Sequence, residues 1–291
     1  MPAGAKPLFV FAVIGDAHIQ ALDVPLRHLS HFSRAGIVVM QGRGTKRAAA
    51  GHVIEVTPPP ALTDHQASLW LKTGLADLLA AHGLGGRQFC YLDSDVIAVA
   101  EDVDDIFLNQ PAPIAFATDH ASIDMFSHWA VRCFCRTLAC PHLREAMLCS
   151  FGIDFPDPGW TMWNGGVFVA DQRAAPFLRL WHRLTCATFT DDYWQTRDQA
   201  TLAATAASLG LLAQPTLPQR FNRVLDCHWG LQDHHRANPG PGDLAWPDFD
   251  LRAEITAGRI SFLHLVNRGV GRTGWRPWED VARLLPETVG T

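Results

Sequence analysis

The chain has 291 residues, of which 48% are hydrophobic and 18% charged, with a formal net charge of −5. That length buries a sizeable core without staples, and the composition excludes a disordered or fibrous chain. Lysine and arginine are scattered singly, which excludes the basic stripe of a nucleic-acid partner and leaves any anionic ligand to be held by local groups.

The first apolar run, Leu8 to Ile14, is too short to span a membrane and is stopped by Gly15 and Asp16, so it reads as a strand and not as a signal segment. Short and long apolar runs then alternate: Ala21 to Phe32 as helix, Gly36 to Met40 and Val53 to Val56 as strands, Ala67 to Ala81 as helix, Phe89 to Leu92 as strand. This rhythm implies a parallel sheet with helices on its faces. Leu71, Leu75, Leu78 and Leu79 share one helical face, and Gly83, Gly85 and Gly86 follow as stop signals. After the strand Ile114 to Ala117, residues 121–158 break the rhythm with clustered Cys, His, Phe and Trp and read as an inserted lobe. A strand at Gly166 to Ala170, helices at Ala174 to Thr188 and Arg197 to Leu209, and a last strand at Ile260 to Leu265 complete the pattern; Arg236 to Pro247, rich in Pro and Gly, reads as a surface loop. No apolar window reaches transmembrane length, so any membrane contact is expected to be peripheral. The expectation is one mixed α/β domain over 1–291, with an N-terminal half to residue 120, the insertion, and a second half from 159.

Seven cysteines, at 90, 133, 135, 140, 149, 186 and 227, show no secreted disulfide framework, and a reducing, cytoplasmic setting fits them. Cys133, Cys135, Cys140 and His142 have the residue types of zinc ligands but no Cys-x-x-Cys pair. Three of these positions read as part of an apolar helical run, so buried free thiols are the expectation.

The sharpest motif is Asp93-Ser94-Asp95, two carboxylates at the end of an apolar strand. Alternate residues of a strand share a face, so both acids are expected to converge at the carboxyl edge of the sheet. Hard divalent cations take oxygen ligands and bridge diphosphate oxygens, which makes the pair a candidate metal–nucleotide site. Asn164-Gly165-Gly166 reads as a tight turn into a strand. Asp198 and Gln199 open a helix, where an acid is also favoured by the helix dipole. His264 sits in the apolar run of Ser261 to Leu265.

Taken in order, Asp93-Ser94-Asp95, the Trp163 to Val169 segment, Asp198-Gln199, and His264 followed by Arg276-Pro277-Trp278 resemble the GT-A glycosyltransferases. The similarity is greatest to family 8, the group of glycogenin and bacterial lipopolysaccharide glycosyltransferases. The resemblance covers about two-thirds of the chain. It implies a Rossmann-like mixed sheet flanked by helices, whose first 120 residues bind a nucleotide sugar, UDP being the commonest, and whose last part completes the metal site. It implies a metal set of Asp93, Asp95 and His264 for Mn²⁺, or else Mg²⁺, and a hexose transfer with retention to a carbohydrate, lipid-linked or protein acceptor.

The resemblance also assigns the remaining roles. Val13, Ile14, Asp16 and His18 fall where the nucleobase and ribose bind, and Ser94 belongs with Asp93 and Asp95 to the donor-binding set. Lys72 lies near the donor, Asp119 and Asp198 take sugar hydroxyls, Asn164 meets the sugar or acceptor, and Gln199 lies near the anomeric carbon. Gly269, Arg272 and Arg276 stand where the family binds the diphosphate, though the His-x-x-Gly spacing is stretched here and arginine replaces lysine. Inverting relatives would need a base, for which Asp191, Asp192 and Asp198 are candidates. A catalytically silent sugar-nucleotide-binding relative and a sugar-nucleotide pyrophosphorylase are the alternatives, the latter lacking its glycine-rich loop here.

Overall fold

The computed structural model describes residues 6–135, 137, 139–226, 250–266, 270–271 and 275–285. The predicted loop Arg236 to Pro247 lies outside them, as does Cys227. Its central element is a six-stranded sheet in the order β3-β2-β1-β4-β7-β6. These strands are β1 (Leu8–Ile14), β2 (Gly36–Gly42), β3 (His52–Glu55), β4 (Phe89–Leu92), β6 (Ile114–Ser122) and β7 (Thr161–Ala170). The first four run parallel, whereas β7 lies antiparallel to both β4 and β6, so the sheet is mixed. A second sheet of three strands joins β5 (Val96–Ala98), β8 (Arg223–Asp226) and β9 (Phe262–Val266), with β9 in the middle.

Alternation along the strands sends successive side chains to opposite faces. Leu8, Val10, Tyr91 and Phe168 point into a core closed by α4 (Leu75–Ala81), α7 (Ala175–Ala187) and α8 (Arg197–Ser208). Phe9, Phe11, Val13 and Cys90 point into a second core on the side of α1 (Asp16–Ala21) and α2 (Asp23–Phe32). The small sheet packs Ile97, Leu263 and Leu265 against α9 (Leu251–Thr256) and α10 (Arg276–Ala282). The helix α8 is buried nearly throughout, which its run of Ala and Thr permits by letting neighbours approach closely.

The expected helix from Ala67 to Ala81 is two helices, α3 (Asp64–Thr73) and α4, broken at Gly74. A Cβ there would stand 2.8 Å from the Trp70 carbonyl oxygen, so glycine is what allows the close turn. The start of α3 is held by a capping box between Thr63 and Gln66. The inserted segment carries α5 (Ile123–Ala130) and α6 (His142–Phe151), tied together by Arg144, which donates to both oxygens of the buried Asp124 at 2.7 and 3.1 Å. Residues 131–135 between these helices are not helical, contrary to the apolar run read there. Phe134, fully exposed, explains the misreading: it is apolar but takes no part in a core. Among the described residues, no helix is long and apolar enough to cross a membrane.

Candidate functional site

Parallel pairing puts the C-terminal ends of β1, β2 and β4 at one edge of the large sheet, the edge at which ligands bind in open α/β sheets. Asp93 and Asp95 stand there, but on the turn that joins β4 to β5 and not on the strand itself. Strand alternation therefore does not bring them together. The turn does: the Asp93 amide donates to the Gly166 carbonyl at 2.8 Å, the Val96 amide to the Asp93 carbonyl at 3.0 Å, and the Leu265 amide to the Asp95 carbonyl at 2.9 Å. The last bond docks the turn onto β9, and the Val96–His264 register brings His264 beside Asp95.

Ligand atoms of Asp93, Asp95 and His264 all lie within 4.8 Å of one another. Nε2 of His264 is 3.2 Å from Oδ1 of Asp95, while Nδ1 is 3.0 Å from Oδ1 of Asn222. Because the Asn222 amide nitrogen donates to Asn164 Oδ1 at 2.9 Å, its oxygen is the acceptor for Nδ1–H, which leaves Nε2 aimed at the two carboxylates. Such an orienting partner on the far ring nitrogen is usual for metal-ligating histidines. Burial by itself would depress the His264 pKa, but Asp95 outweighs it and raises the value above that of an ordinary histidine. Two carboxylates and one oriented imidazole suit a Mn²⁺ or Mg²⁺ ion in donor chemistry and spacing.

A buried cation adjoins this triad. Lys72, on α3, donates to Asp198 at 2.9 Å and Asp93 at 3.2 Å, and Tyr91 donates to the other oxygen of Asp93 at 2.6 Å. Burial opposes the charge on Lys72, yet Asp198 and Asp93 together hold its pKa above the ordinary lysine value. Burial likewise raises Asp198, but Lys72 outweighs it and the carboxyl ends below its usual range.

Asn164, Gly165 and Gly166 form no turn into a strand. They lie within β7, at an irregularity where Phe116 pairs with Phe168 but Ala117 pairs with Asn164. Both glycines press on the site: a Cβ would stand 3.2 Å from Gln199 Oε1 at Gly165 and 2.3 Å from His264 Cε1 at Gly166. Asn164 donates to Asp119 and accepts from the Gly166 amide, each at 2.9 Å. Gln199 commits both ends of its amide to β7, accepting from the Gly165 amide at 2.9 Å and donating to the Trp163 carbonyl. Thus Lys72, Asp93, Asp95, Asp119, Asn164, Asp198, Gln199 and His264, drawn from five elements and one turn, form one hydrogen-bonded and ion-paired constellation.

Other expected residues stand differently. Ile14 is buried at the end of β1, and Asp16, one residue past Gly15 with its φ of 80°, accepts from the Thr45 and Lys46 amides at 2.8 Å and from the Thr45 hydroxyl at 2.8 Å. Asp16 thereby anchors the loop after β2, while His18 is exposed and Ser94 half-buried. Asp191 and Asp192 are exposed on the turn before α8. Gly269 and Arg272, and the side chain of Arg276, lie outside the described residues. Sequence reasoning missed Tyr91 and Asn222. Tyr91 was detectable as the one hydroxyl in the β4 run; Asn222, 42 residues before His264, carries no local signal.

No protein-family model matches the chain, and no curated protein matches it in sequence. Solved structures do. The apo structure of the bifunctional glycosyltransferase WbbM matches 92% of this chain with TM-score 0.56 at 12% identity, and this chain spans 47% of that one. The galactosyltransferase LgtC in complex with donor and acceptor sugar analogs matches 96% of this chain and 98% of its own, with TM-score 0.53 at 15% identity. An active-site mutant of LgtC matches over the same shares at TM-score 0.52 and 16% identity. The mixed sheet flanked by helices, with its acidic turn at the carboxyl edge, gives this chain the fold of the GT-A glycosyltransferases.

Proposed function

We propose that the protein is a metal-dependent glycosyltransferase of the family 8 type, moving a hexose from a nucleoside-diphosphate sugar, with UDP the expected nucleotide, to an acceptor. The observation that carries this reading is the convergence of Asp93, Asp95 and His264 beside the Lys72–Asp198 pair. Asp93, Asp95 and His264 would hold Mn²⁺ or Mg²⁺, and Asn222 fixes the imidazole so that Nε2 is the ligand atom. A bound cation would neutralise the charge that builds on the diphosphate as the glycosidic bond breaks. Arg272 and Arg276 are assigned to the diphosphate, Ile14, Asp16 and His18 to the nucleoside, and Ser94 to the donor, on the resemblance alone.

Lys72 holds Asp93 toward the cation and Asp198 toward the place assigned to the sugar, so metal and sugar positions are set by one ammonium group. Asp198 and Asp119 are assigned to sugar hydroxyls. Asn164 and Gln199 are assigned to the reacting end of the sugar, where their bonds to β7 keep them rigid. Retention follows the resemblance to family 8; of the candidate bases for inversion, Asp198 has a lowered pKa and is ion-paired to Lys72, which makes it a weak proton acceptor.

The test is a thermal-shift screen against UDP, GDP, CDP, ADP and dTDP, each with and without Mn²⁺ or Mg²⁺. Stabilisation by one nucleotide, dependent on metal, is expected, and at 100 times the dissociation constant it amounts to about 2.7 kcal/mol. Silence toward every pair would overturn the reading. Binding without transfer or hydrolysis of any donor would leave a sugar-nucleotide-binding protein instead.

A further inference from the structure

The inserted segment brings together four side chains that the transferase chemistry does not use. Cys133 and Cys135 lie on the irregular stretch after α5, Cys140 just before α6, and His142 in its first turn. Their ligand atoms all lie within 4.8 Å of one another. Sγ of Cys140 is 3.7 Å from Sγ of Cys133 and 3.3 Å from Nδ1 of His142, and Sγ of Cys135 is 3.5 Å from the same nitrogen.

Those separations match one chemistry. Tetrahedral zinc with Zn–S near 2.3 Å and Zn–N near 2.0–2.1 Å places sulfur atoms about 3.8 Å apart and sulfur and nitrogen about 3.6 Å apart. A disulfide would need two sulfurs at about 2.05 Å, whereas Sγ of Cys140 and Sγ of Cys133 stand 3.7 Å apart. We propose that Cys133, Cys135, Cys140 and His142 bind a structural Zn²⁺ ion as a closed three-sulfur, one-nitrogen site.

The surroundings fit a ligand cage. Ser127 of α5 donates to the Cys140 carbonyl at 2.6 Å and accepts from the Leu143 amide at 3.1 Å, so the backbone at the site is pinned to α5. Nε2 of His142 lies 3.9 Å from Glu145, beyond hydrogen-bond distance but on the outer ring nitrogen, where a carboxylate supports a ligating histidine when the two close up. His128 approaches Cys133 at 3.4 Å through Nδ1 but gives Nε2 to the Thr137 carbonyl, so it stands behind the sulfur as a neighbour. The described residues between α5 and α6 form no helix and only a single β-bridge, Val131 to Trp194, and a metal clip supplies the order that a core does not. Binding takes up three thiolates and a neutral imidazole; the three thiol protons pass to solvent, and the site carries one net negative charge. The spacing Cys-x-Cys-x₄-Cys-x-His escapes the usual search for paired Cys-x-x-Cys because each of its two ligand pairs encloses a single residue.

The test uses the intact chain purified under reducing conditions. Elemental analysis after Zn²⁺ incubation and gel filtration is expected to find stoichiometric zinc, lost in Cys135→Ser and His142→Gln but retained in Asp95→Asn, which separates this site from the one assigned to the donor. Chelation is expected to lower the melting temperature of the natural chain. Should either cysteine or histidine variant fail to fold, the Co²⁺-loaded natural chain decides, with strong visible bands and thiolate charge transfer expected for tetrahedral sulfur ligation. Absence of zinc, zinc lost with Asp95→Asn, weak octahedral cobalt absorption, or a Cys133–Cys140 disulfide in the reduced preparation would each overturn the proposal.

Discussion

A Cβ on Gly166 would stand 2.3 Å from Cε1 and 2.9 Å from Nδ1 of His264, well inside the distance at which such atoms touch. Gly166→Ala is therefore expected to push the imidazole off its Asn222 anchor, to cost about 1–3 kcal/mol in denaturant unfolding, and to weaken Mn²⁺-dependent nucleotide binding more than about tenfold, the size of effect seen when metal-supporting contacts are lost. Full affinity in calorimetry would mean that His264 is no ligand. Asp95→Asn is expected to abolish metal-dependent binding with little loss of stability, since Asp95 is a third exposed and its partner imidazole can release its proton. The raised His264 pKa has a direction in pH as well. A proton on Nε2 competes with a metal ion, so affinity for Mn²⁺ with nucleotide is expected to fall by up to about tenfold per pH unit below that pKa, read from a calorimetric pH series.

At the level of elements, Lys72 joins α3, the β4–β5 turn and α8 through the half-buried Asp93 and the buried Asp198. Lys72→Met would leave Asp198 buried without its counter-charge, at an expected cost of about 3–5 kcal/mol in chemical denaturation; a change under about 1 kcal/mol would mean the pair is dispensable. The contact of α2 with β5 carries a second electrostatic signature. His28 is fully buried, donates through Nδ1 to the Ala98 carbonyl at 3.0 Å, and its Nε2 meets no hydrogen-bond partner among the described residues. Burial drives its pKa down to about 4. The folded state then binds fewer protons than the unfolded state between about pH 6.5 and 4, so stability is full above pH 6.5 and falls as the pH drops through that window, by about 3 kcal/mol in all. His28→Leu is expected to flatten this part of the curve in urea titrations, and an unchanged slope would show that other groups carry it.

Over the whole molecule, a net charge of −5 provides no attraction for a phosphate-bearing ligand. The buried Lys72 is already shared between two carboxylates, so under the proposed function neutralisation of a diphosphate would fall to a metal ion held by Asp93, Asp95 and His264 and to the arginines assigned by resemblance. Raising salt from about 0.05 to 0.5 M is accordingly expected to leave the association rate of Mn²⁺–UDP unchanged or up to about threefold faster, because salt screens repulsion between like charges. A steep slowing in stopped-flow measurements would instead reveal a steering field of positive charge.

Much of this was legible without coordinates. The strands Leu8–Ile14 and Phe89–Leu92 coincide with their apolar runs, and the helices α7 and α8 fall within a residue of their periodic segments, because burial imprints a period of two or 3.6 on neighbouring positions. The acids at 93 and 95, the Asp198-Gln199 pair and His264 could be singled out as chemistry-bearing types set against apolar surroundings. What the sequence by itself determined is thus the order of elements and the kinds of group that reach the sheet edge. Only the tertiary structure decided the antiparallel entry of β7 and its bulge at Asn164, the use of a turn to converge Asp93 and Asp95, the recruitment of Asn222 behind His264, and the gathering of Cys133 and Cys135, on a stretch read as helix, with Cys140 and the α6 residue His142. The physical reason is range: periodicity is a property of adjacent residues, whereas each of these arrangements depends on pairings and packing between segments that lie apart in sequence or on a backbone path that no local period encodes.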